Sequence, residues 1–193
     1  MEKRLRAVAG SCSRPRSKRQ NSAKAWSNSV VRKTVYLSLG SNLGDREANL
    51  REAITRLSAL GEVTKISSFY ETEPVEFTEQ PCFVNCAVEM KTEAMPRQLL
   101  SSLLSMEREM GRRRVQRKGP RLIDLDIVLF GDVVVQTSEL TIPHPAMQER
   151  RFVLEPLEEI APEVRHPVLN KTVRELLAEL PQGEQLVRKT RNA

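Results

Sequence analysis

Gly119-Pro120-Arg121-Leu122-Ile123-Asp124-Leu125-Asp126-Ile127-Val128-Leu129-Phe130 combines a strand signal with charges that an ordinary core strand avoids. Past the Gly-Pro the residues alternate or are apolar, and in a strand residues two apart share a face. Asp124 and Asp126 therefore stand side by side on one face, with Ile123, Leu125 and Ile127 on the other. Two carboxylates this close repel each other. A hard divalent cation such as Mg²⁺, which takes one or two carboxylates together with phosphate oxygens, relieves them. Just upstream, six of the ten residues 112–121 are cationic and none is acidic, which makes a clamp for a polyphosphate. An Asp-x-Asp alone is common, and an Arg-rich run is usually a solvated loop or a nucleic-acid patch. Joined through Gly119-Pro120-Arg121 to one apolar strand, the two point to phosphoryl transfer from a nucleotide.

Working outward from that strand, Val35-Tyr36-Leu37-Ser38-Leu39 alternates as a first strand and ends in the turn Gly40-Ser41-Asn42-Leu43-Gly44. Asp45 caps a helix with stripe Leu50, Ala53, Ile54, Leu57 and Leu60, closed by Gly61 at the C′ position. Residues 63–70 read as a second strand, and residues 71–81, with two prolines and four glutamates, as a loop. Residues 83–90 form a third strand with Phe83, Asn85 and Ala87 on one face and Val84, Cys86 and Val88 on the other. Pro96 opens a helix with stripe Leu99, Leu100, Leu103, Leu104 and Met110, ended by Gly111. The Asp strand follows, then a short arm at residues 133–135. Read in order, this is β-α-β-β-α-β, an α+β ferredoxin-like sandwich of antiparallel sheet and helices. Beyond it lie a Pro-His-Pro turn, apolar segments through Ile160, and a last helix opened by the capping box Thr172-x-x-Glu175.

Composition narrows the partners. Residues 1–34 hold ten Lys/Arg and one acid, more than the whole chain's excess of +6, so the remainder is mildly acidic. A basic excess in a tail, and not across a domain face, argues against nucleic-acid binding. Residues 1–33 read as a basic, unstructured tail and residues 34–193 as one domain. The tail's Arg and Ser content is also that of an organellar transit peptide; a disordered extension or an upstream start codon leaves the same trace. No apolar run nears the ~20 residues that span a bilayer. Three cysteines without metal-ligand spacing fit a reducing, cytoplasmic compartment.

Two positions stand out chemically. Glu107 continues the stripe Leu100, Leu103, Leu104 where a hydrophobe is expected, and a buried carboxylate needs a partner. Phe83 and Asn85 share a strand face and offer an aromatic surface beside a group that both donates and accepts hydrogen bonds. That pairing suits a flat heterocycle with an amide-like edge.

The series Gly40-Ser41-Asn42-Leu43-Gly44, Ser68-Phe69-Tyr70-Glu71-Thr72-Glu73-Pro74, Gln80-Pro81-x-Phe83-x-Asn85, Gly119-Pro120-Arg121-x-x-Asp124-x-Asp126 and Pro143-His144-Pro145 resembles the 6-hydroxymethyl-7,8-dihydropterin pyrophosphokinase family, from about residue 35 to 180. The resemblance implies the ferredoxin-like fold and a magnesium-dependent transferase of folate biosynthesis. Such an enzyme passes pyrophosphate from ATP to the pterin hydroxymethyl and releases AMP. It implies that Asp124 and Asp126 hold two Mg²⁺ ions and that Arg112, Arg114 and Arg121 are catalytic. ATP contacts are implied for Leu100, Glu107, Arg112, Arg114, Lys118, Arg121, Ile127, His144, Pro145 and Arg150. The pterin would meet Thr72, Glu73, Pro74, Val75, Phe83, Asn85 and Phe152. A monomer acting on small molecules, without nucleic acid or membrane, follows. Three departures stand against the pattern. Lys118 replaces a tryptophan found in some members, the 112–121 loop is one residue shorter, and Glu76 replaces a common glycine.

A nucleotidyltransferase also joins a Gly-Ser motif to an Asp-x-Asp, but places the Gly-Ser on the helix just before the Asp strand. Here Ser41 and Asp124 lie on the first and fourth strands. A nucleic-acid-binding module of this topology needs aromatics on its central strands for base stacking, and the first strand offers only Tyr36. His166 matches no motif and reads as structural. Removing the facing Asp pair is expected to raise metal-free stability.

Overall fold

The computed structural model describes residues 31–75, 79–112, 119–181, 183 and 185–190. The architecture is α+β, one antiparallel sheet with four helices. β1 (Lys33–Ser41) pairs along its whole length with β4 (Phe83–Thr92), from Lys33↔Thr92 to Ser41↔Val84. β5 (Asp124–Phe130) flanks β1 on its other side. Beyond β4 lie β2 (Glu62–Ile66) and β3 (Tyr70–Thr72), and β8 (Val187–Lys189) closes the edge on β3. A separate two-stranded ladder joins β6 (Val135–Gln136) to β7 (Thr141–Ile142).

Both sheet faces are covered. α1 (Arg46–Leu57) and α2 (Pro96–Glu109) bury Leu50, Ala53, Leu57, Leu99, Leu103 and Met106 on Val35, Leu37, Leu39, Val88 and Met90. On the opposite face, α3 (Arg151–Ile160) and α4 (Val173–Glu179) pack Val153, Leu154, Leu157, Val173 and Leu176 against Tyr36, Ala87, Val128 and Leu129. Several local signals act as expected. The Asp45 carboxylate accepts from the Ala48 N–H at 3.0 Å, Gly111 ends α2 with φ +94, and Thr172 and Glu175 form a reciprocal capping box. His166 is buried with its Nδ1 accepting the Val168 and Leu169 N–H groups, a loop-closing role.

Four expectations change. The expected second strand at residues 63–70 is two strands, because Ser67 interrupts the ladder: its Oγ accepts the Ala87 N–H at 2.9 Å, in place of a backbone carbonyl. β3 then runs through Glu71 and Thr72, which read as loop. Residues 151–160, read as apolar segments, form α3, a helix that holds Pro156 and has no side-chain cap from its own N-cap Arg150. β8 is absent from the sequence reading because three residues carry no period. Finally, α1 ends at Leu57 with Ser58 as its cap, so Gly61 is not its C′ residue. Gly61 is needed for a close approach instead, since a Cβ there would lie 2.4 Å from the Lys91 carbonyl oxygen. β1 begins at Lys33 and Arg32 pairs with Glu62 and Glu93, while residues 1–30 of the expected tail lie outside the described residues.

Gly61→Ala forces backbone apart at the β2–β4 ladder. It is expected to lower unfolding free energy by about 1–3 kcal/mol, measured by urea denaturation, whereas a φ-dependent cap glycine would cost less.

Candidate active site

α3 and α4 cover only part of their sheet face. At the end where β1 and β3 run out and β4 and β5 begin, the face opens into a cavity of about 280 Å³. One row across the sheet, Asp124↔Gly40↔Asn85↔Tyr70, sets its floor, and the next row places Asp126 beside Ser38. The lining includes every residue expected to face a pterin (Thr72, Glu73, Pro74, Val75, Phe83, Asn85 and Phe152), together with Arg112, Arg121, Asp124, Asp126 and Arg150.

The charged half is tightly paired. The Arg112 guanidinium donates to Asp124 Oδ1 at 2.6 Å and Arg121 Nη1 to Asp124 Oδ2 at 2.7 Å. Arg112 also donates to Glu107, whose carboxylate takes the Leu125 N–H at 2.8 Å. Glu107 is thus buried at the root of β5, tying α2 to the strand that carries the aspartates. Burial raises its pKa and Asp124 adds to this, while Arg112 and the Leu125 N–H oppose. Arg112 is pushed the other way from what burial alone would do, because Asp124 and Glu107 hold its charge. Asp126 is raised to about 7, first by desolvation and then by Asp124, with Arg150 partly compensating.

The other half is aromatic and amide-bearing. Asn85 is buried, and its Nδ2 donates to Thr72 Oγ1 at 2.7 Å. Its Oδ1 lies where a Cβ on Gly40 would come within 2.6 Å, so the glycine makes room for the amide. The Arg121 guanidinium sits 5.6 Å from the Phe83 ring centroid, and that of Arg150 lies 5.7 Å from Phe152, both within cation–π range.

Five further residues expected at ATP, Leu100, Glu107, Ile127, His144 and Pro145, do not line this cavity. Leu100 and Ile127 pack in the apolar core and Glu107 sits beneath the cavity, so none of the three lines it. His144 and Pro145 are likewise outside the lining. Burial, helped by Arg150, lowers the His144 pKa to about 4, so near neutral pH this side chain brings no cation to a phosphate. Its Nδ1 faces the Ala146 N–H at 3.3 Å, an acceptor role that assigns the ring proton to Nε2. Arg114 and Lys118, and with them the tryptophan and loop-length departures, lie outside the described residues, as does Glu76.

Sequence reasoning gave no role to Ser38, Gly40 or Gln80, which also line the cavity, nor to Asn42. Asn42 is buried; its Oδ1 accepts the Arg121 N–H at 2.7 Å and its Nδ2 donates to Gln80 Oε1 and the Pro81 carbonyl. The Gly-Ser-Asn motif was the available signal, since a buried asparagine in a turn must satisfy both ends of its amide.

A family model described as 7,8-dihydro-6-hydroxymethylpterin-pyrophosphokinase matches residues 36–162. A Bacillus subtilis protein named 2-amino-4-hydroxy-6-hydroxymethyldihydropteridine pyrophosphokinase is 50% identical over 132 residues, 67% of this chain and 79% of that protein. The Dictyostelium discoideum folic acid synthesis protein FOL1 is 40% identical over 167 residues, 86% of this chain, and the chain spans only 25% of its length. Among solved structures, Plasmodium falciparum HPPK-DHPS with pterin and p-hydroxybenzoate superposes with a TM-score of 0.63 at 20% identity. That match covers 77% of this chain and 42% of that one, a likeness of fold.

The two aspartates now separate in their effect on stability. Asp124 is neutralised by two arginines, so removing it strands cations; the stabilisation expected from removing the pair is therefore assigned to Asp126. Its folded pKa, about 7, lies above the unfolded value of about 3.9. The penalty is therefore absent below that unfolded value, grows as pH rises through the window, and is complete above about 7. Asp126→Asn is expected to raise the metal-free Tm at pH 8 and to leave it nearly unchanged at pH 4, whereas Asp124→Asn lowers it at pH 8. Thermal melts at the two pH values check this.

Proposed function

The chain belongs to the 7,8-dihydro-6-hydroxymethylpterin-pyrophosphokinase family, and from that premise we propose that it transfers pyrophosphate from ATP to the hydroxymethyl group of 6-hydroxymethyl-7,8-dihydropterin. AMP and the pterin diphosphate are the products, a step of folate biosynthesis. The observation that carries this reading is the single cavity in which a carboxylate–arginine half adjoins an aromatic–amide half. A nucleotidyltransferase would carry its Gly-Ser on the helix just before the Asp strand, whereas here Ser41 ends β1 and Asp124 opens β5.

Asn85 presents an amide to the edge of the pterin, held in one orientation by Thr72. Phe83 and Phe152 offer the ring faces, and residues 73–75 the closing loop. Arg112 and Arg121 supply the cations for the triphosphate, already aimed at the cavity by their shared hold on Asp124. A polyphosphate gives those guanidiniums an alternative anion, so Asp124 can turn its oxygens to a metal while its charge stays balanced.

Magnesium fits the donor set on the chemistry of the residues. Asp124 and Asp126 are hard oxygen ligands on one strand face, and the desolvation of Asp126 favours a nearby cation. Among the described residues no cluster of three or more His, Cys, Asp or Glu could hold a metal. Phosphate oxygens and water would complete the coordination of an ion held by Asp124 and Asp126. When bound, it screens the phosphates and polarises the bonds between them; two ions are what the family pattern suggests for this pair of aspartates. The catalytic groups we assign are Arg112, Arg121, Asp124 and Asp126, with Arg114 added on the family pattern alone.

The sheet order β5-β1-β4, with β2 and β3 beyond β4, supports reading the core as ferredoxin-like with a C-terminal extension of α3, α4 and β8. We take a monomer acting on small molecules as the working unit. No helix among the described residues is long and apolar enough to cross a membrane. Cys82 and Cys86 are free, as a reducing cytoplasm would keep them.

Incubation with ATP, Mg²⁺ and the reduced hydroxymethylpterin is expected to yield AMP and the pterin diphosphate by phosphorus NMR; ADP as the nucleotide product would overturn the reading. Asp124→Ala and Asp126→Ala are expected to lower turnover by several orders of magnitude with the circular dichroism spectrum retained.

The two halves should be separable by ligand. Asn85→Ala, and Gly40→Ala through the displaced Asn85 side chain, are expected to weaken pterin binding by about 2 kcal/mol with ATP affinity little altered. Calorimetry with each ligand separates this from general loosening of the sheet.

A further inference from the structure

Residues 185–190 reach both walls of the aromatic half from outside the cavity. β8 pairs with β3 as Thr72↔Val187, Glu71↔Arg188 and Tyr70↔Lys189. The ladder extends one residue each way, from Thr190 N–H to the Phe69 carbonyl at 2.8 Å and from Glu73 N–H to the Leu186 carbonyl at 3.4 Å. It therefore ends at Glu73, the first residue of the 73–75 loop that lines the cavity. One residue earlier, Gln185 turns to α3. Its Oε1 accepts the Arg151 N–H at 2.8 Å and its Nε2 donates to the Glu149 carbonyl at 2.9 Å. Those two groups bracket Arg150, and Phe152 follows directly.

α3 has no side-chain cap of its own, and an exposed N–H at a helix start needs an acceptor. Gln185 supplies one from a distant part of the chain. The Arg151 guanidinium returns the contact by donating to the Leu180 and Pro181 carbonyls. At the far end of α3, Glu159 accepts from Tyr70 and pairs with Lys189. The segment is thus tied to α3 at both ends and to β3 throughout, while none of these contacts involves Arg112, Arg121, Asp124 or Asp126.

We infer that Gln185 is a positioning residue for the pterin half of the site, fixing the 73–75 loop and the Phe152 wall as one unit. This rests on the proposed pyrophosphokinase reading for its kinetic consequence, but not for its structural one. Losing the amide frees the start of α3 and the end of the β3–β8 ladder together. The nucleotide half keeps its own supports, Glu107 beneath Arg112 and Asn42 beneath Arg121.

The test compares Gln185→Ala with Gln185→Glu, which retains the acceptor for Arg151. Hydrogen exchange read by mass spectrometry is expected to rise in Gln185→Ala at residues 72–75 and 151–153 together, with residues 124–130 unchanged and Gln185→Glu close to the parent. Independent or absent changes overturn the inference, whatever the activity. In steady-state assays Gln185→Ala is expected to raise the pterin KM about tenfold, the size of one or two lost hydrogen bonds, with the ATP KM rising less than about threefold through Arg150, which the two bonds bracket, and Gln185→Glu within about threefold of the parent. Equal weakening of both substrates means the residue is only structural and overturns it as well. Should Gln185→Ala not fold, Gln185→Met, which keeps the length and loses both bonds, takes its place in both measurements. Failure of the parent chain to use the pterin at all strikes the proposed function and leaves the exchange result standing.

Discussion

From Val35 to Ser41 every residue of β1 is buried, on both faces of the sheet. A strand buried on both faces cannot be stabilised by one layer of helices, so α1 and α2 on one side require α3 and α4 on the other. The two faces are not covered equally. α3 reaches Tyr36, Ala87 and Val128 but stops before the end of β1, and there the sheet needs residues that tolerate a wet concavity. Ser38, Gly40, Asn85, Asp124 and Asp126 are those residues. The cavity is the part of a buried sheet face that the second helical layer leaves open.

That opening concentrates charge where the dielectric is low. Glu107, Asp124 and Asp126 crowd one end of β5, and the described cations that answer them are Arg112, Arg121 and Arg150. Glu107 and Asp124 are satisfied by direct bonds. Asp126 carries the unrelieved part, seen in a pKa near neutrality. Strain of this kind is what a site poised for a metal and a polyphosphate must hold before either arrives.

What the sequence disclosed was local in origin. Asp124 and Asp126, or Phe83 and Asn85, share a face by strand period alone, and Glu107 stood out because it broke a helical one. The capping residues Asp45 and Thr172 act within three or four positions of themselves. The missed features depend on partners far away in the chain. Gln185 caps a helix 34 residues upstream, and Ser67 breaks a strand by bonding Ala87. α3 carried Pro156 and no local cap, so tertiary packing on the second sheet face decides it. His144 and Ile127 entered the expected site through resemblance of motif; burial and the nearby Arg150 keep the His144 ring neutral, and Ile127 packs in the apolar core, outside the cavity lining.

Register between the two halves comes from the sheet itself. Asp124 and Asn85 belong to one row with Gly40 between them, a separation of two strand spacings, about 10 Å. Under the proposed reaction, a bicyclic ring hydrogen-bonded to Asn85 through one edge would extend its far substituent across the bare Gly40 backbone toward the carboxylates. A side chain at position 40 would stand in that path as well as against Asn85. Asn42 then fixes the two approaches to this row, holding the Arg121 backbone with its oxygen and the Gln80–Pro81 chain with its nitrogen. Because one rigid amide makes both contacts, Arg121 and the segment leading to Phe83 cannot drift apart without exposing or stranding a buried polar group. The proposed transfer between two bound molecules would depend on the distance between them more than on the affinity for either, and β1 with the turn that follows it would set that distance.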